Sequence, residues 1–222
     1  MSEDIVVHGV PGSPYVRSAL LGLEEKAIPY RLSPIEVGAA GGLRNPEHRK
    51  LHPFGRVPIM DHEGFRLYET QAILRYVDTL DGSGGAPVLQ PRDARAAARM
   101  NQIVGIVDWY VFPTISVGIT AERLMSQRFW NRPTDEATIA KNLPEARVCI
   151  NELARLKGAA PFMTGDSVSI ADLMLAPQLD FFRATPEGQE LIGGSTLEVW
   201  LTRMCSRASM QATQAERLRK SA

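Results

Sequence analysis

The segment spanning residues 54–76 constrains the fold more than any other part of the 222-residue chain, because it predicts four consecutive pieces of local structure. Two short apolar runs, at residues 57–60 and 65–68, flank four residues with the polar and glycine-containing composition of a hairpin turn. Glu69 and Thr70 then open a stretch in which apolar residues recur at helical spacing. The pattern predicts an antiparallel hairpin that leads directly into a helix.

Two features of this segment indicate a binding site. Val57 precedes Pro58, so it is held in extended geometry, and the proline supplies no N–H to a sheet. If that peptide bond is cis, Val57 turns its own N–H and C=O outward, and a peptide-like ligand can pair with both as an added strand does. At Glu69 and Thr70, a helix N-terminus favours a carboxylate, while the glutamate itself favours an ammonium group. Together they suit an amino acid, although an edge proline or a simple helix cap is the ordinary explanation of each feature alone.

The N-terminal part of the chain predicts a strand, a loop and a helix that begins at Ser13. An apolar run at residues 5–7 indicates a buried strand, and Ser13 followed by Pro14 is typical of a helix cap and first helical position. A hydroxyl at this position, close to free N–H groups, can donate a hydrogen bond to a thiolate. Lowering a thiol pKa from its ordinary value of ~8.5 by one unit requires about 1.4 kcal/mol of extra stabilisation of the thiolate. One charge-assisted hydrogen bond contributes roughly 1.5–3 kcal/mol. Ser13 is therefore the candidate activator of a bound thiol, with a purely structural N-cap as the alternative.

Composition places the chain among ordinary globular proteins. Hydrophobic residues make up 44%, charged residues 23%, and the formal net charge is zero, so nothing favours nucleic acid or an anionic membrane as a partner. The acidic start lacks a signal region, and no apolar run is expected to be long enough to span a bilayer. Cys149 and Cys205 fit no metal or redox spacing. They are expected to be reduced thiols of a cytoplasmic protein that holds no metal.

The pattern changes after a linker that is rich in glycine. Residues 1–80 are predicted to form one α/β domain, residues 81–92 the linker, and residues 93–222 an all-helical domain. A long helix is expected from about residue 93 to 127, with a kink at Pro113. Residues 38–52 are expected to be irregular, and the polar end from Gln211 to be frayed.

Two further groups of residues in the helical part have structural explanations as well as functional ones. Trp109 and Phe112 lie on one face of the long helix and are candidates for an apolar pocket, the alternatives being the core or a dimer interface. Ser169 followed by Asp172 has capping-box spacing before a very apolar helix, so Asp172 is interpreted as structural rather than catalytic.

The combination G-x-V-P, then E-[ST]-x-A-I, resembles the thioredoxin-like domain of the cytosolic glutathione S-transferases. The S-P-Y-V-R sequence from Ser13 to Arg17 is similar to the serine-type members of the theta, phi and related bacterial groups. This resemblance, which extends over nearly the whole chain, implies an N-terminal thioredoxin-like domain with a mixed sheet and a C-terminal helical bundle. It implies a transferase that conjugates glutathione, as a substrate, to an apolar electrophile in detoxification. It also implies a homodimer, with Phe54 as a possible interface residue.

The resemblance also assigns roles to residues. Ser13 corresponds to the family's catalytic serine, and the backbone of Val57, beside the cis-proline Pro58, to the contact with the cysteinyl part of glutathione. Glu69 and Thr70 correspond to the γ-glutamyl site. Further glutathione-binding candidates are Arg56, where the family commonly has Gln or Lys, and Arg44, in a segment that aligns poorly; the electrophile pocket candidates are Tyr15, Trp109 and Phe112.

Three alternatives stay open from the sequence. The first is a non-catalytic relative that uses the fold for binding, since a fold does not fix a function. A glutathione-dependent peroxidase or disulfide reductase is a second alternative, although position 13 is a serine and not the cysteine usual for that chemistry. An isomerase or dehalogenase acting on one metabolite is the third.

Overall fold

The structure is a computed structural model that describes residues 5–35, 42–81 and 85–221. The chain forms two compact units, the first comprising Met1–Leu89 with Ser206–Ala222 and the second comprising Gln90–Cys205. The predicted division placed all of residues 93–222 in one helical domain. The contacts instead place the last 17 residues with the first unit.

A four-stranded mixed sheet forms the centre of the first unit. Its strands are β1 (Ile5–Gly9), β2 (Tyr30–Pro34), β3 (Ile59–His62) and β4 (Phe65–Tyr68), in the spatial order β2-β1-β3-β4. β1 pairs in parallel with β2 and antiparallel with β3, and β3 and β4 form the predicted hairpin. The mixed sheet and the thioredoxin-like architecture expected from the sequence are confirmed.

Helices α1 (Pro14–Glu25) and α3 (Thr70–Thr79) pack against one face of this sheet. Their apolar residues join alternate residues of the strands in one fully buried cluster, which includes Val7, Leu20, Met60, Ile73 and Val77. Gly22 allows the two helices to approach closely, because a Cβ atom there would lie 2.6 Å from Leu74 Cδ2. This packing fixes where the N-terminal ends of both helices lie.

Residues 42–52 differ from the irregular segment that the sequence predicted for residues 38–52. A 3₁₀ turn, Gly42–Arg44, is followed by helix α2, Pro46–Leu51. Asn45 caps α2, since its side chain accepts a hydrogen bond of 2.9 Å from the N–H of Glu47. An asparagine cap followed by proline at the first helical position is a start signal that could have predicted this helix. Residues 38–41 lie outside the described part of the chain.

The C-terminal segment is helical and is anchored to α1, in contrast to the frayed end that its polar sequence suggested. The segment forms helices α10 (Ala208–Ala212) and α11 (Ala215–Ser221). Leu218 of α11 joins the buried cluster of the first unit. Glu25 of α1 binds Arg207 through two hydrogen bonds of 2.7 and 2.6 Å. These contacts explain why residues 206–222 belong to the first unit.

The second unit is a bundle of helices around one long helical run and one buried helix. The long run consists of α4 (Ala94–Ile106), a π-helical continuation (Val107–Ala121) and α5 (Glu122–Phe129). The helices that follow are α6 (Glu136–Lys157), the buried α7 (Ile170–Phe182), α8 (Pro186–Ile192) and α9 (Thr196–Cys205). The predicted kink at Pro113 is replaced by a change of winding, since the helix continues through this residue with π-type hydrogen bonding.

The run Ala94–Phe129 is long and apolar enough to cross a membrane by length and composition, contrary to the expectation from the sequence. Its predicted apolar stripe is nevertheless buried within the second unit, with Met100, Ile103 and Val107 at most 1% exposed. A helix whose apolar residues pack against neighbouring helices has the character of a core helix.

Glu122 is a buried carboxylate that ties α5 to the loop before α6. It accepts hydrogen bonds from Arg132 at 2.6 and 2.9 Å, from the Ser126 hydroxyl at 2.8 Å and from the Asp135 N–H at 3.2 Å. The Arg132 guanidinium, and then these other donors, lower the pKa of Glu122 from 4.5 to about 2, against the opposing effect of burial. The ionised form is therefore stabilised in the folded protein.

We expect Glu122→Gln to lower the free energy of unfolding at pH 7 by about 2 kcal/mol, allowing for solvent screening of the partly exposed Arg132. Because the pKa is depressed on folding, this stability is present above pH 4.5 and is lost as the pH falls through about 2. Urea unfolding of the unsubstituted protein and of Glu122→Gln between pH 7 and 2.5 measures how the difference between their free energies of unfolding decreases. Glu145→Gln, an exposed change on α6, is the control, and a pH-independent difference would contradict the assignment.

Candidate functional site

The predicted site residues of the first unit converge on one end of its sheet. In the antiparallel register, His8 near the carboxyl end of β1 lies opposite Ile59, the first residue of β3, and Ile59 also lies opposite Tyr68, the last residue of β4. Ser13 follows β1, Val57 precedes β3, and Glu69 follows β4. α1 and α3 both begin at this end, so their N-terminal N–H groups and dipoles favour negative charge there.

Ser13 is the N-cap of α1, as predicted. Its backbone N–H donates to the Val10 carbonyl at 2.9 Å, and its Oγ accepts a long hydrogen bond of 3.5 Å from the N–H of Val16. No acceptor for the Ser13 hydroxyl proton is found among the residues that the structure describes. Gly9 allows the preceding strand to pass close to the helix, because a Cβ there would lie 2.5 Å from Val16 Cγ2. The Ser13 backbone is thus held in place, and the hydroxyl is able to donate.

The Val57–Pro58 peptide bond is cis. Pro58 is buried and Val57 is half-buried immediately before β3. Within the described ranges, neither the N–H nor the C=O of Val57 has a hydrogen-bond partner. Both groups are therefore available to pair with the backbone of an extended ligand.

Glu69 occupies the N-cap of α3 in a conformation that is unusual for a residue with a side chain. Its φ of 71° and ψ of 111° lie outside the regions that such residues favour, at a cost of about 1–3 kcal/mol. Its exposed carboxylate caps no helix N–H and has no partner among the described side chains and backbone groups. Thr70, the first residue of the helix, is 6% exposed. A free carboxylate and a helix N-terminus thus stand next to each other, as an amino-acid ligand requires.

The two arginine candidates lie in the segment before Val57, and both are exposed. Arg44 ends the 3₁₀ turn, and Arg56 immediately precedes Val57. Neither side chain forms an ion pair within the described part of the chain. They provide positive charge on this segment.

His48, which sequence reasoning missed, is part of the same segment. It is 7% exposed, and its Nε2 lies 2.9 Å from the Arg56 carbonyl oxygen. Because a carbonyl only accepts, Nε2 carries the proton in this bond. The signal that could have found it is the Asn45–Pro46 helix start, which places His48 in the first turn of α2.

Arg17, the last residue of the S-P-Y-V-R sequence, is buried and bound to the C-terminal segment. It is 5% exposed, and its guanidinium donates to the Met210 carbonyl at 2.8 Å and to the Thr213 hydroxyl at 3.4 Å. The side chain therefore fastens the C-terminal segment to α1, because it has turned away from solvent towards α10.

The three candidates for the electrophile pocket are divided between the two units. Tyr15 is half-buried in the first turn of α1. Trp109 and Phe112 lie on the π-helical part of the long helix, where Trp109 is 79% exposed and Phe112 is half-buried. Trp109 therefore does not belong to the core of the second unit.

Other titratable groups do not extend the site. The His8 ring pairs with Asp61 at 2.9 Å on the sheet face opposite α1 and α3, and Arg66 binds the same carboxylate. The Arg66 hydrogen bonds, followed by the one from His8, hold the pKa of Asp61 below its ordinary value, whereas burial acts in the opposite direction. Burial raises the pKa of the Cys149 thiol to about 11. Among the described residues, no three His, Cys, Asp or Glu side chains are grouped in a way that could hold a metal ion.

Comparison with known proteins gives matches to both parts of the chain. A family model described as "Glutathione S-transferase, N-terminal domain" matches residues 12–80, and one described as "Glutathione S-transferase, C-terminal domain" matches residues 136–203. A glutathione S-transferase of Silene vulgaris is 27% identical over 214 residues, which cover 95% of this chain and 97% of the relative. Glutathione S-transferase F4 of Arabidopsis thaliana is 26% identical over 202 residues, with 90% and 81% coverage.

Among solved structures, poplar glutathione transferase F1 superimposes with a TM-score of 0.85 at 28% sequence identity and covers 100% of both chains. The similarity extends over the mixed-sheet part and the helical part alike. The matched residues therefore include Ser13, Val57 and Glu69, which converge at one end of the sheet.

Proposed function

The chain belongs to the cytosolic glutathione S-transferase family, and from this premise we propose that it is a serine-type enzyme that activates glutathione at the end of its sheet. The observation that carries the proposal is the convergence of a free Ser13 hydroxyl, an unpaired Val57 backbone and a free Glu69 carboxylate at that end. Hydroxyl, backbone and carboxylate match the thiol, the peptide groups and the ammonium group of one γ-glutamyl tripeptide.

In the proposed binding mode, the cysteinyl part of glutathione pairs with the N–H and C=O of Val57. Glu69 receives the γ-glutamyl ammonium group, and the start of α3 at Thr70 receives its carboxylate. Arg44 and Arg56 supply positive charge for the glycyl carboxylate.

In the proposed reaction, the Ser13 hydroxyl donates a hydrogen bond to the glutathione sulfur and, with the α1 dipole, favours the thiolate. The thiol proton passes to water, the thiolate forms a bond to an electrophilic carbon, and a leaving group such as chloride departs with its bonding electrons. Tyr15, Trp109 and Phe112 are proposed to receive the apolar part of this second substrate. Catalysis then consists of positioning and thiol activation.

We also propose that the protein is a theta- or phi-like member of the family, a homodimer and cytoplasmic. A serine followed by proline at the start of α1 supports the serine-type, theta- or phi-like assignment. Phe54, 69% exposed beside the site, is proposed as a contact of a homodimer. The sequence contains Cys149 and Cys205 but has serine at position 13, so nothing favours a peroxidase or reductase reaction over conjugation.

Calorimetric titration with glutathione, followed by assay of a chlorinated aromatic with glutathione, tests the proposed function. We expect binding, turnover, and a roughly tenfold weaker binding for Glu69→Gln, since one charge-assisted hydrogen bond is lost. Glu63→Gln, an equally exposed change in the β3–β4 turn, is the matched control. Binding without turnover would support a non-catalytic carrier, and no binding would contradict the assigned site.

A further inference from the structure

We propose that His48 is a positioning residue that orients the Val57 N–H towards glutathione by holding the other side of the same peptide group. The inference rests on the proposed function and adds to it a residue that makes no contact with the ligand. Its basis is the 2.9 Å hydrogen bond from His48 Nε2 to the Arg56 carbonyl oxygen.

The two sides of one peptide group are geometrically linked. The Arg56–Val57 bond is trans, since the cis bond of this segment is Val57–Pro58. In a planar trans peptide, the C=O and the N–H point in opposite directions. A donor that fixes the Arg56 carbonyl on one side therefore fixes the direction of the Val57 N–H on the other. That N–H has no partner among the described residues, so the hydrogen bond on the other side of the peptide group helps to set its orientation.

The donor itself is held firmly. His48 is buried in α2, and its carbonyl accepts a 2.9 Å hydrogen bond from the N–H of His52. The loop that follows is closed by a 2.8 Å hydrogen bond from the Gly55 N–H to the His52 carbonyl. Gly55 has a φ of 63°, and a Cβ there would lie 2.6 Å from the Leu43 carbonyl oxygen. These contacts fix the backbone of α2 and of the loop between His48 and Arg56, and so the separation of the two bonded groups.

The position of the bond also fits a role in binding rather than in chemistry. His48 donates to a carbonyl next to the binding backbone, whereas the proposed thiol activator, Ser13, lies on a different element. Loss of the bond is therefore expected to affect the affinity for glutathione and to leave the ionisation of the bound thiol intact.

His48→Phe keeps a ring of similar size and removes the donor. We expect the glutathione KM and the calorimetric Kd to rise about five- to tenfold, with kcat at saturating glutathione and the pKa of the bound thiol unchanged. His48→Gln keeps an N–H donor at a similar distance from the backbone and is expected to restore most of the affinity. His62→Phe is the matched control: it removes a hydrogen bond of 2.9 Å to the Tyr76 hydroxyl at the opposite end of β3 from Val57, and it is expected to leave the KM unchanged.

The outcomes separate this inference from the proposed function. If the unsubstituted protein binds glutathione and His48→Phe binds it equally well, the positioning role is wrong while the function stands. If His48→Phe does not fold, His48→Gln is compared with His48→Asn, whose shorter side chain does not reach the carbonyl; equal affinities would again overturn the role. Failure of the unsubstituted protein to bind glutathione would overturn the proposed function first.

Discussion

Replacing Ser13 by alanine is expected to lower kcat/KM for conjugation by about ten- to a hundredfold at pH 6.5–7, with little change in the affinity for glutathione. The reason is that one hydrogen bond to a charged sulfur lowers a thiol pKa by roughly one to two units. Alanine removes this donor, so that a smaller fraction of the bound glutathione is present as thiolate. The direct measurement is the thiolate absorbance of the bound glutathione as a function of pH, alongside steady-state kinetics.

The loss of kcat/KM in Ser13→Ala is expected to depend on pH. The difference between the two proteins is expected to be largest below the free thiol pKa of ~8.5 and to shrink above it, where the thiol ionises without assistance. Ser13→Thr, which keeps a hydroxyl, is expected to retain part of the activity. Ser18→Ala is the control on the same helix, since the Ser18 hydroxyl donates to the Pro14 carbonyl at 3.1 Å.

An equal kcat/KM and an equal bound-thiol pKa for Ser13→Ala would contradict the role of Ser13. A change in stability alone would indicate the alternative in which Ser13 is only a helix cap. The cap itself is weak here, because the Val16 N–H lies 3.5 Å from Oγ. A large kinetic effect with a small effect on stability would thus favour thiol activation.

The second large effect is expected from Asp172→Asn, which should destabilise the second unit by about 3 kcal/mol or more. Asp172 is fully buried and accepts four hydrogen bonds. The Met163 N–H and the Trp200 Nε1–H donate to Oδ1 at 2.8 Å, and the Ser169 N–H and hydroxyl donate to Oδ2 at 2.9 and 2.8 Å. Burial raises the pKa of the carboxyl, and these four donors act against that effect.

Asparagine presents an NH₂ group on one side of the amide, so at least one pair of these donors would face another donor. Each buried group left unsatisfied costs about 1–3 kcal/mol. For a chain of this size, a loss of 3 kcal/mol lowers Tm by roughly 6–12 °C. Thermal unfolding followed by tryptophan fluorescence, to which the buried Trp200 contributes, measures the change.

Asp166→Asn supplies the control for this experiment, because Asp166 is exposed in the loop before α7. We expect its Tm to match that of the unsubstituted protein. A similarly small effect of Asp172→Asn would mean that the buried carboxylate contributes nothing that an amide cannot replace.

The features that the sequence predicted correctly depend on neighbours close along the chain. The hairpin at residues 57–68, the N-cap at Ser13 and the capping box from Ser169 to Asp172 each extend over a few residues. Turn chemistry, caps and periodicity act at this range, so a single sequence contains the information. The same local information, together with the spacing between the G-x-V-P and E-[ST]-x-A-I motifs, also indicated the family.

The features that the sequence did not predict depend on partners far along the chain. Arg17 donates to the carbonyl of Met210, 193 residues away, and nothing near Arg17 distinguishes this role from a surface position. The polar C-terminal end is ordered because Arg207 meets Glu25 and Leu218 enters a core formed by α1 and the sheet. The bond from His48 to Arg56 depends on the path of the loop between them.

The sequence by itself determined which residues carry chemistry in the first unit: a capping serine, a residue before proline, and a glutamate at a helix start. Only the tertiary structure brought these three to one end of a sheet, because strand order and antiparallel register, rather than any local pattern, decide which chain ends meet. It also decided which polar groups are left free to bind, since a donor or acceptor is available only when folding has provided no other partner for it.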